Sequence, residues 1–143
     1  MNLKKCRIIT VTGRDILDIL TGIDIIEIER IKDSIESSGK IFVSKIFTEN
    51  EINYCELRKQ SKYQSYAVRF AAKEAVVKAL GTGFSNGVEF KNIEILNNEQ
   101  LKPYVVLHGR AKEVFCDIKG EKISISLSHC KTYAIANAVI LSL

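Results

Sequence analysis

Several charged residues stand where their neighbours give no ordinary reason for charge. Asp24 lies in GIDIIEIERI (residues 22–31), flanked by Ile23, Ile25 and Ile26. A carboxylate buried in such company needs a cation or several hydrogen-bond donors; read alone, a strand-end or helix-capping aspartate is the simpler account. Residues 69–83, RFAAKEAVVKALGTG, place Arg69 and Lys73 on one helical face and Glu74 and Lys78 on the adjacent one. In isolation this is a solvated face with one Glu–Lys pair. The remaining positions, however, are nearly all Ala, Val, Leu or Phe, which leaves little of the helix for water and points to the wall of a cleft. Gly81-Thr82-Gly83, followed by Ser85 and Gly87, lets backbone N–H groups approach a phosphate closely. A helix C-cap followed by a turn explains the same glycines, and Walker-type spacing is absent.

The segment SLSHCKTYA (residues 126–134) puts Ser128 and His129 at the tip of a hairpin, where side chains reach a site edge. Adjacent strand residues point to opposite faces, so these two do not form a nucleophile–base pair and a serine-hydrolase reading fails. His108 has no polar constellation beside it and reads as structural. Taken together, Asp24, Glu74, Lys78 and their neighbours supply two carboxylates, several cations and phosphate-compatible backbone, the equipment for a magnesium-bound pyrophosphate. Magnesium takes hard oxygen ligands, usually one or two carboxylates with waters and substrate phosphates. Lysine and arginine neutralise the charge that is left.

Residues 17–26 read as an Ile-rich strand, and Glu27–Ser37 as a helix with Ile28, Ile31 and Ile35 on one face and Gly39 as its stop. Thr48 and Glu51 form a capping box that starts a helix running to about Arg58. Ser65 is the expected cap of a stronger helix, Tyr66–Leu80, stopped by Gly81. Strands follow at Asn92–Leu96 and Tyr104–His108, then a helix at Gly109–Asp117. In Lys122–Ser128, Ile123, Ile125 and Leu127 alternate with serines, the period-2 signature of a half-buried strand. Thr132–Leu141 returns from it as the second arm of a hairpin. The order β-α-α-α-β-β-α-β-β predicts an α+β domain, helices packed on a largely antiparallel sheet.

With 143 residues the chain suits one compact domain, and its 46% hydrophobic content supports a core. No apolar run reaches the roughly 20 residues of a membrane span. Of the net charge of +4, residues 1–16 supply +3 (Lys4, Lys5, Arg7 and Arg14 against Asp15), leaving +1 for the rest. That distribution argues against nucleic acid as a partner. The four cysteines lie far apart, without zinc-ligand spacing, and read as reduced thiols of a cytoplasmic protein. Residues 1–16 read as a flexible extension preceding a single domain over 17–143.

At this point the residues resemble a known family, the holo-(acyl carrier protein) synthases, the short class of 4'-phosphopantetheinyl transferases. The family's opening G-x-D…E-x-x-R-I is similar to Gly22, Asp24, Glu27, Arg30 and Ile31, and its F-T-x-x-E-x-x-Y-C to Phe47–Cys55. Its R-F-A-A-K-E-A-x-x-K-A-x-G-T-G is matched by Arg69–Gly83, and its closing S-x-S-H…Y-A-x-A by Ser126–Ala136. The resemblance implies a 4'-phosphopantetheinyl transferase-like fold and magnesium-dependent transfer of phosphopantetheine from coenzyme A to a serine of apo-acyl carrier protein. Asp24 and Glu74 would be the magnesium ligands, and Lys78 would contact the phosphates. Arg69, Lys73, Gly81 and His129 would line the coenzyme A pocket near its 3'-phosphoadenosine. Arg30 would pair with acidic residues of the carrier, and Glu74 is the candidate acceptor of the serine proton. The resemblance further implies a homotrimer with active sites shared between subunits, and a place in fatty-acid or polyketide synthesis. The rival reading is a noncatalytic coenzyme A- or nucleotide-binding module. Two departures stand out: Cys130 replaces a usual Thr, and Leu101-Lys102-Pro103 replaces a usual G-K-P turn.

Overall fold

The computed structural model describes residues 17–143, so the expected flexible extension over residues 1–16 lies outside the described residues. The elements are β1 (Asp18–Glu27), α1 (Ile28–Ile46), α2 (Glu49–Leu57), α3 (Lys62–Leu80), β2 (Ile93–Asn97), β3 (Pro103–Leu107), α4 (Gly109–Asp117), β4 (Gly120–His129) and β5 (Tyr133–Ser142). This is the expected order. The strands form two antiparallel sheets, β1-β5-β4 and β2-β3.

Helix α3 is the centre of the molecule and lies across β1 and β5. Its Ala71, Ala75 and Ala79 pack with Ala136, Ala138 and Ile140 of β5 in the main core. These small side chains bring helix and sheet close together, and Gly22 brings them closest. A Cβ at Gly22 would stand 1.9 Å from the Ala75 carbonyl oxygen, so no other residue fits there. The consequence is positional: Asp24, two residues further along β1, is carried to α3. A second core joins Ile28, Ile31, Ile46, Phe47 and Tyr66, fastening α1 and α2 to the other side of α3.

The Thr48–Glu51 capping box is present: Glu51 N donates to Thr48 Oγ1 at 3.4 Å, and Thr48 N donates to Glu51 Oε2 at 2.8 Å. Two boundaries differ from expectation. Gly39 is a kink and not a stop; it takes φ 49° and ψ −128°, and the helix resumes to Ile46, whose burial rewards the continuation. Helix α3 starts at Lys62, after a 3-10 turn at Lys59–Ser61, so Ser65 lies inside it and caps nothing.

The β2–β3 turn keeps a left-handed residue where the family pattern has glycine. Leu101 takes φ 60° with its side chain 66% exposed. That conformation costs a non-glycine residue about 1 kcal/mol. It is held by Leu101 N donating to Asn98 O and by Asn98 Oδ1 accepting from Gln100 N and Lys102 N.

Candidate active site

Strand β1 and helix α3 bring three of the expected site residues together. Lys78 Nζ lies 2.8 Å from Asp24 Oδ1 and 2.8 Å from the Ile23 carbonyl oxygen. The carboxylate is largely sheltered (17% exposed) and the lysine half-exposed (49%). Glu74 sits one turn before Lys78 on α3. Burial, then the nearby charge of Asp24, raises its carboxyl above the ordinary carboxylate value, while Lys78 pulls the other way.

Asp24 Oδ2 and both oxygens of Glu74 accept no hydrogen bond among the described residues, which leaves them available as hard ligands. No group of three or more His, Cys, Asp or Glu side chains suited to a metal occurs among the described residues. A cage made wholly of protein is therefore not offered. Two carboxylates are what magnesium takes when a phosphate substrate supplies the remaining oxygens, so the residues present fit that ion.

Arg69 and His129 meet elsewhere, in a pocket of about 320 Å³ between α2, α3 and the end of β4. Arg69 is 3% exposed. Its Nη2 donates to Asn97 Oδ1 at 2.6 Å and its Nη1 to the Ser65 carbonyl at 3.3 Å. Its Nε, buried, has no partner, and neither has Gln64 Oε1 on the same wall. An unsatisfied buried guanidinium N–H and amide oxygen facing a pocket are the marks of a polar ligand. Nine residues of α3 separate Arg69 from Lys78, roughly 14 Å of helix rise. Nine steps of about 100° make two and a half turns, so Arg69 and Lys78 leave opposite sides of α3, Arg69 toward α2 and the end of β4 and Lys78 toward β1.

Lys73, expected at the same pocket, is not among the residues that line it. Its side chain is wholly buried, with Nζ 2.9 Å from Glu51 Oε2, 3.0 Å from the Phe90 carbonyl and 2.5 Å from the Ile93 carbonyl. Burial pushes this ammonium below the ordinary lysine value, and Glu51 opposes that. Glu51 in turn accepts from Ile95 N at 2.8 Å. The pair ties α2, α3 and β2 together, wholly shielded from solvent. Gly81 is the left-handed C-cap of α3 (φ 80°), and its N–H is spent on the Val77 and Lys78 carbonyls; it flanks the Lys78 end of the helix and not the Arg69 pocket. Arg30 is exposed on α1 beside a shallow groove lined by Ile26, Ile31, Asp33, Ser34, Phe42 and Phe70.

The sequence reading gave Tyr54, Arg58, Gln64 and Asn97 no part in a site, although Tyr54 falls within the Phe47–Cys55 motif. Tyr54 and Arg58 had a readable signal, an aromatic and a cation four apart at the end of a helix. Asn97 had none, since it reaches Arg69 only through the packing of β2 against α3. His108, read as structural, donates from Nε2 to Glu94 Oε2 at 2.8 Å and lies outside this region.

Comparison with known proteins identifies the family. Residues 21–138 match the family model described as the 4'-phosphopantetheinyl transferase superfamily. A holo-[acyl-carrier-protein] synthase of Ruminiclostridium cellulolyticum is 56% identical over 124 residues, spanning 87% of this chain and 92% of its own. The crystal structure of the Helicobacter pylori holo-[acyl-carrier-protein] synthase in complex with coenzyme A superposes with a TM-score of 0.75 at 31% identity, covering 85% of this chain and 99% of that one. The Bacillus anthracis synthase in complex with coenzyme A (3',5'-ADP) gives 0.72 at 36% identity, covering 87% and 96%. A β1 that delivers Asp24 to Glu74 and Lys78, a cationic pocket further along α3, and these matches over nearly all the described residues make the chain a member of the 4'-phosphopantetheinyl transferase superfamily, in its holo-[acyl-carrier-protein] synthase family.

Proposed function

We propose that this protein transfers the 4'-phosphopantetheine moiety of coenzyme A to a serine of apo-acyl carrier protein, releasing adenosine 3',5'-bisphosphate. The observation that carries this reading is the meeting of Asp24, Glu74 and Lys78 at one end of α3 with the Arg69–His129 pocket further along it. The serine oxygen bonds to the β-phosphorus of coenzyme A, and the bridging bond from that phosphorus to the nucleotide breaks. Displacement at phosphorus asks chiefly for positioning and charge neutralisation. Lys78 supplies a fixed positive charge where negative charge develops. Glu74, its carboxyl raised by burial, accepts the serine proton. Arg69 and His129 hold the nucleotide end. Asp24 and Glu74 would hold a magnesium ion, which when bound neutralises phosphate oxygens.

The carrier protein docks on α1, where Arg30 offers a positive charge beside a groove lined by Ile26, Ile31, Phe42 and Phe70 as well as Asp33 and Ser34. The chain assembles as a homotrimer through the outer face of the three-stranded sheet. Ile19, Ile23 and Ile25 are 57–61% exposed there, next to Ile135 and Val139 on β5. A row of exposed isoleucines on one strand is an interface signal. The enzyme works in the cytoplasm; Cys55, Cys116 and Cys130 are unpaired thiols, as a reducing compartment allows. No helix among the described residues is long and apolar enough to cross a membrane.

The test is the intact mass of a purified apo-acyl carrier protein after incubation with this chain, coenzyme A and magnesium, beside a chelator control. A gain of one phosphopantetheine that vanishes with chelator is expected. Coenzyme A binding without any gain would instead identify a noncatalytic coenzyme A-binding module.

A further inference from the structure

The pocket between α2 and α3 holds more positive charge than the family motifs assign to it. Arg58 and Arg69 both line it, together with His129. Among the described residues neither guanidinium lies within ion-pair distance of a carboxylate. One aromatic side chain holds both. Arg58 Cζ stands 4.7 Å from the centroid of the Tyr54 ring, and Arg69 Cζ stands 4.0 Å from it. Arg58 Nη2 also donates a hydrogen bond to Tyr54 Oη.

Two like charges gathered on one ring repel each other. The attraction of each cation for the ring face offsets part of that cost. An anion that reaches both would offset the rest. Tyr54 also restricts Arg58, an exposed side chain that would otherwise sample many rotamers and lose that freedom on binding. Asn97 fixes Arg69 from the other side and leaves Nε, which is buried, as its one nitrogen without a partner.

We propose that Tyr54 is a positioning residue, which sets Arg58 and Arg69 as a paired clamp for a phosphate monoester dianion and so makes the pocket prefer a nucleotide bearing a second phosphate on its ribose over the same nucleotide without it. The inference rests on the coenzyme A reading, since the 3'-phosphate of that molecule is such a group. It adds a positioning role for Tyr54 and a second arginine outside the family motifs.

The test is titration calorimetry of the full chain with adenosine 3',5'-bisphosphate and with adenosine 5'-monophosphate at fixed ionic strength. The quantity read is the ratio of the two affinities. Tyr54→Ala is expected to lower that ratio about tenfold while leaving the monophosphate affinity unchanged. Tyr54→Phe, which keeps the ring and loses the hydroxyl, lowers it about threefold. Arg58→Ala lowers it too, and its effect shrinks in the Tyr54→Ala background, because the two act as one unit. In turnover, KM for coenzyme A rises and kcat holds.

Equal weakening of both nucleotides by Tyr54→Ala would reduce the tyrosine to a structural role. Additive effects of Tyr54→Phe and Arg58→Ala would overturn the clamp, and this pair decides the matter if the alanine variant does not fold. Inorganic phosphate binding as tightly as the bisphosphate would make this a general anion site and end the nucleotide preference. A wild-type ratio near one would also refute the clamp, while carrier-protein modification would still stand on its own mass measurement. Loss of both together would remove the coenzyme A reading itself.

Discussion

Helix α3 carries two lysines five residues apart, each paired with a carboxylate at nearly the same distance: Lys73 with Glu51 at 2.9 Å and Lys78 with Asp24 at 2.8 Å. Bond length does not tell them apart. Surroundings do. Lys73 and Glu51 are fully buried, and their remaining hydrogen bonds go to the backbone of β2 and the turn before it. Lys78 and Asp24 stand 49% and 17% exposed at the rim of α3, beside a carboxylate that has no partner. The interior pair is a fastening whose partners are all protein. The rim pair has unspent capacity, which is what a site for an external ligand requires. A third pair, Glu94 with His108, is intermediate in exposure, with a buried carboxylate and a half-exposed imidazole.

The sharpest break of this comparison is Lys73→Ala. It leaves Glu51 charged and buried without its cation, so a loss of about 3–5 kcal/mol is expected, read as a lower midpoint in chemical denaturation. Lys73→Met, of similar shape, should cost stability too, while coenzyme A affinity measured on the folded fraction stays at the wild-type value. Next comes Lys78→Ala. Turnover should fall about 10²–10³-fold, with stability changed by less than about 1 kcal/mol. A large fall in stability with unchanged turnover would erase the distinction between the two lysines.

The intermediate pair gives the smallest effect. Burial alone would raise the Glu94 carboxyl, but hydrogen bonds from His108, Thr48 and Asn50 outweigh it and hold it below its ordinary 4.5. A lowered folded value means that this stabilisation is complete above pH 4.5 and disappears as pH falls through the folded value. Thermal melts of wild type and Glu94→Gln should therefore differ by about 1–3 kcal/mol near neutrality and converge in acid. A gap that widens in acid would reverse the sign and refute the assignment.

These pairs also mark where sequence reading succeeds and where it stops. Element order was legible throughout, because the serine–isoleucine alternation of β4 and the Thr48–Glu51 box are local signals. Spacing placed Arg69 and Lys73 on one face of α3, and they do share it. It could not say that the face turns inward at Lys73, because the compensating Glu51 lies 22 residues away and only tertiary packing joins them. Gly39 misled for a similar reason: a stop signal gives way when the next turn has Ile46 and Phe47 to bury. Asp24, Glu74 and Lys78 stood out because charge amid isoleucine and alanine is conspicuous. Tyr54 and Arg58 did not, since a tyrosine and an arginine near a helix end look ordinary until the pocket beside them is formed.

The pairing of β1 with β5 has a consequence for how the chain is made. In its sheet β1 has one neighbour, and that neighbour is β5, more than a hundred residues later. At a synthesis rate of about 5–20 residues per second, the isoleucine-rich β1 waits several seconds for its partner strand to be translated. Gly22 and Asp24 wait with it. The backbone notch at Gly22 can close on Ala75 as soon as α3 exists, but the β1 ladder completes only with β5. The nascent chain's most aggregation-prone interval should therefore be the one just before β5 is free to pair.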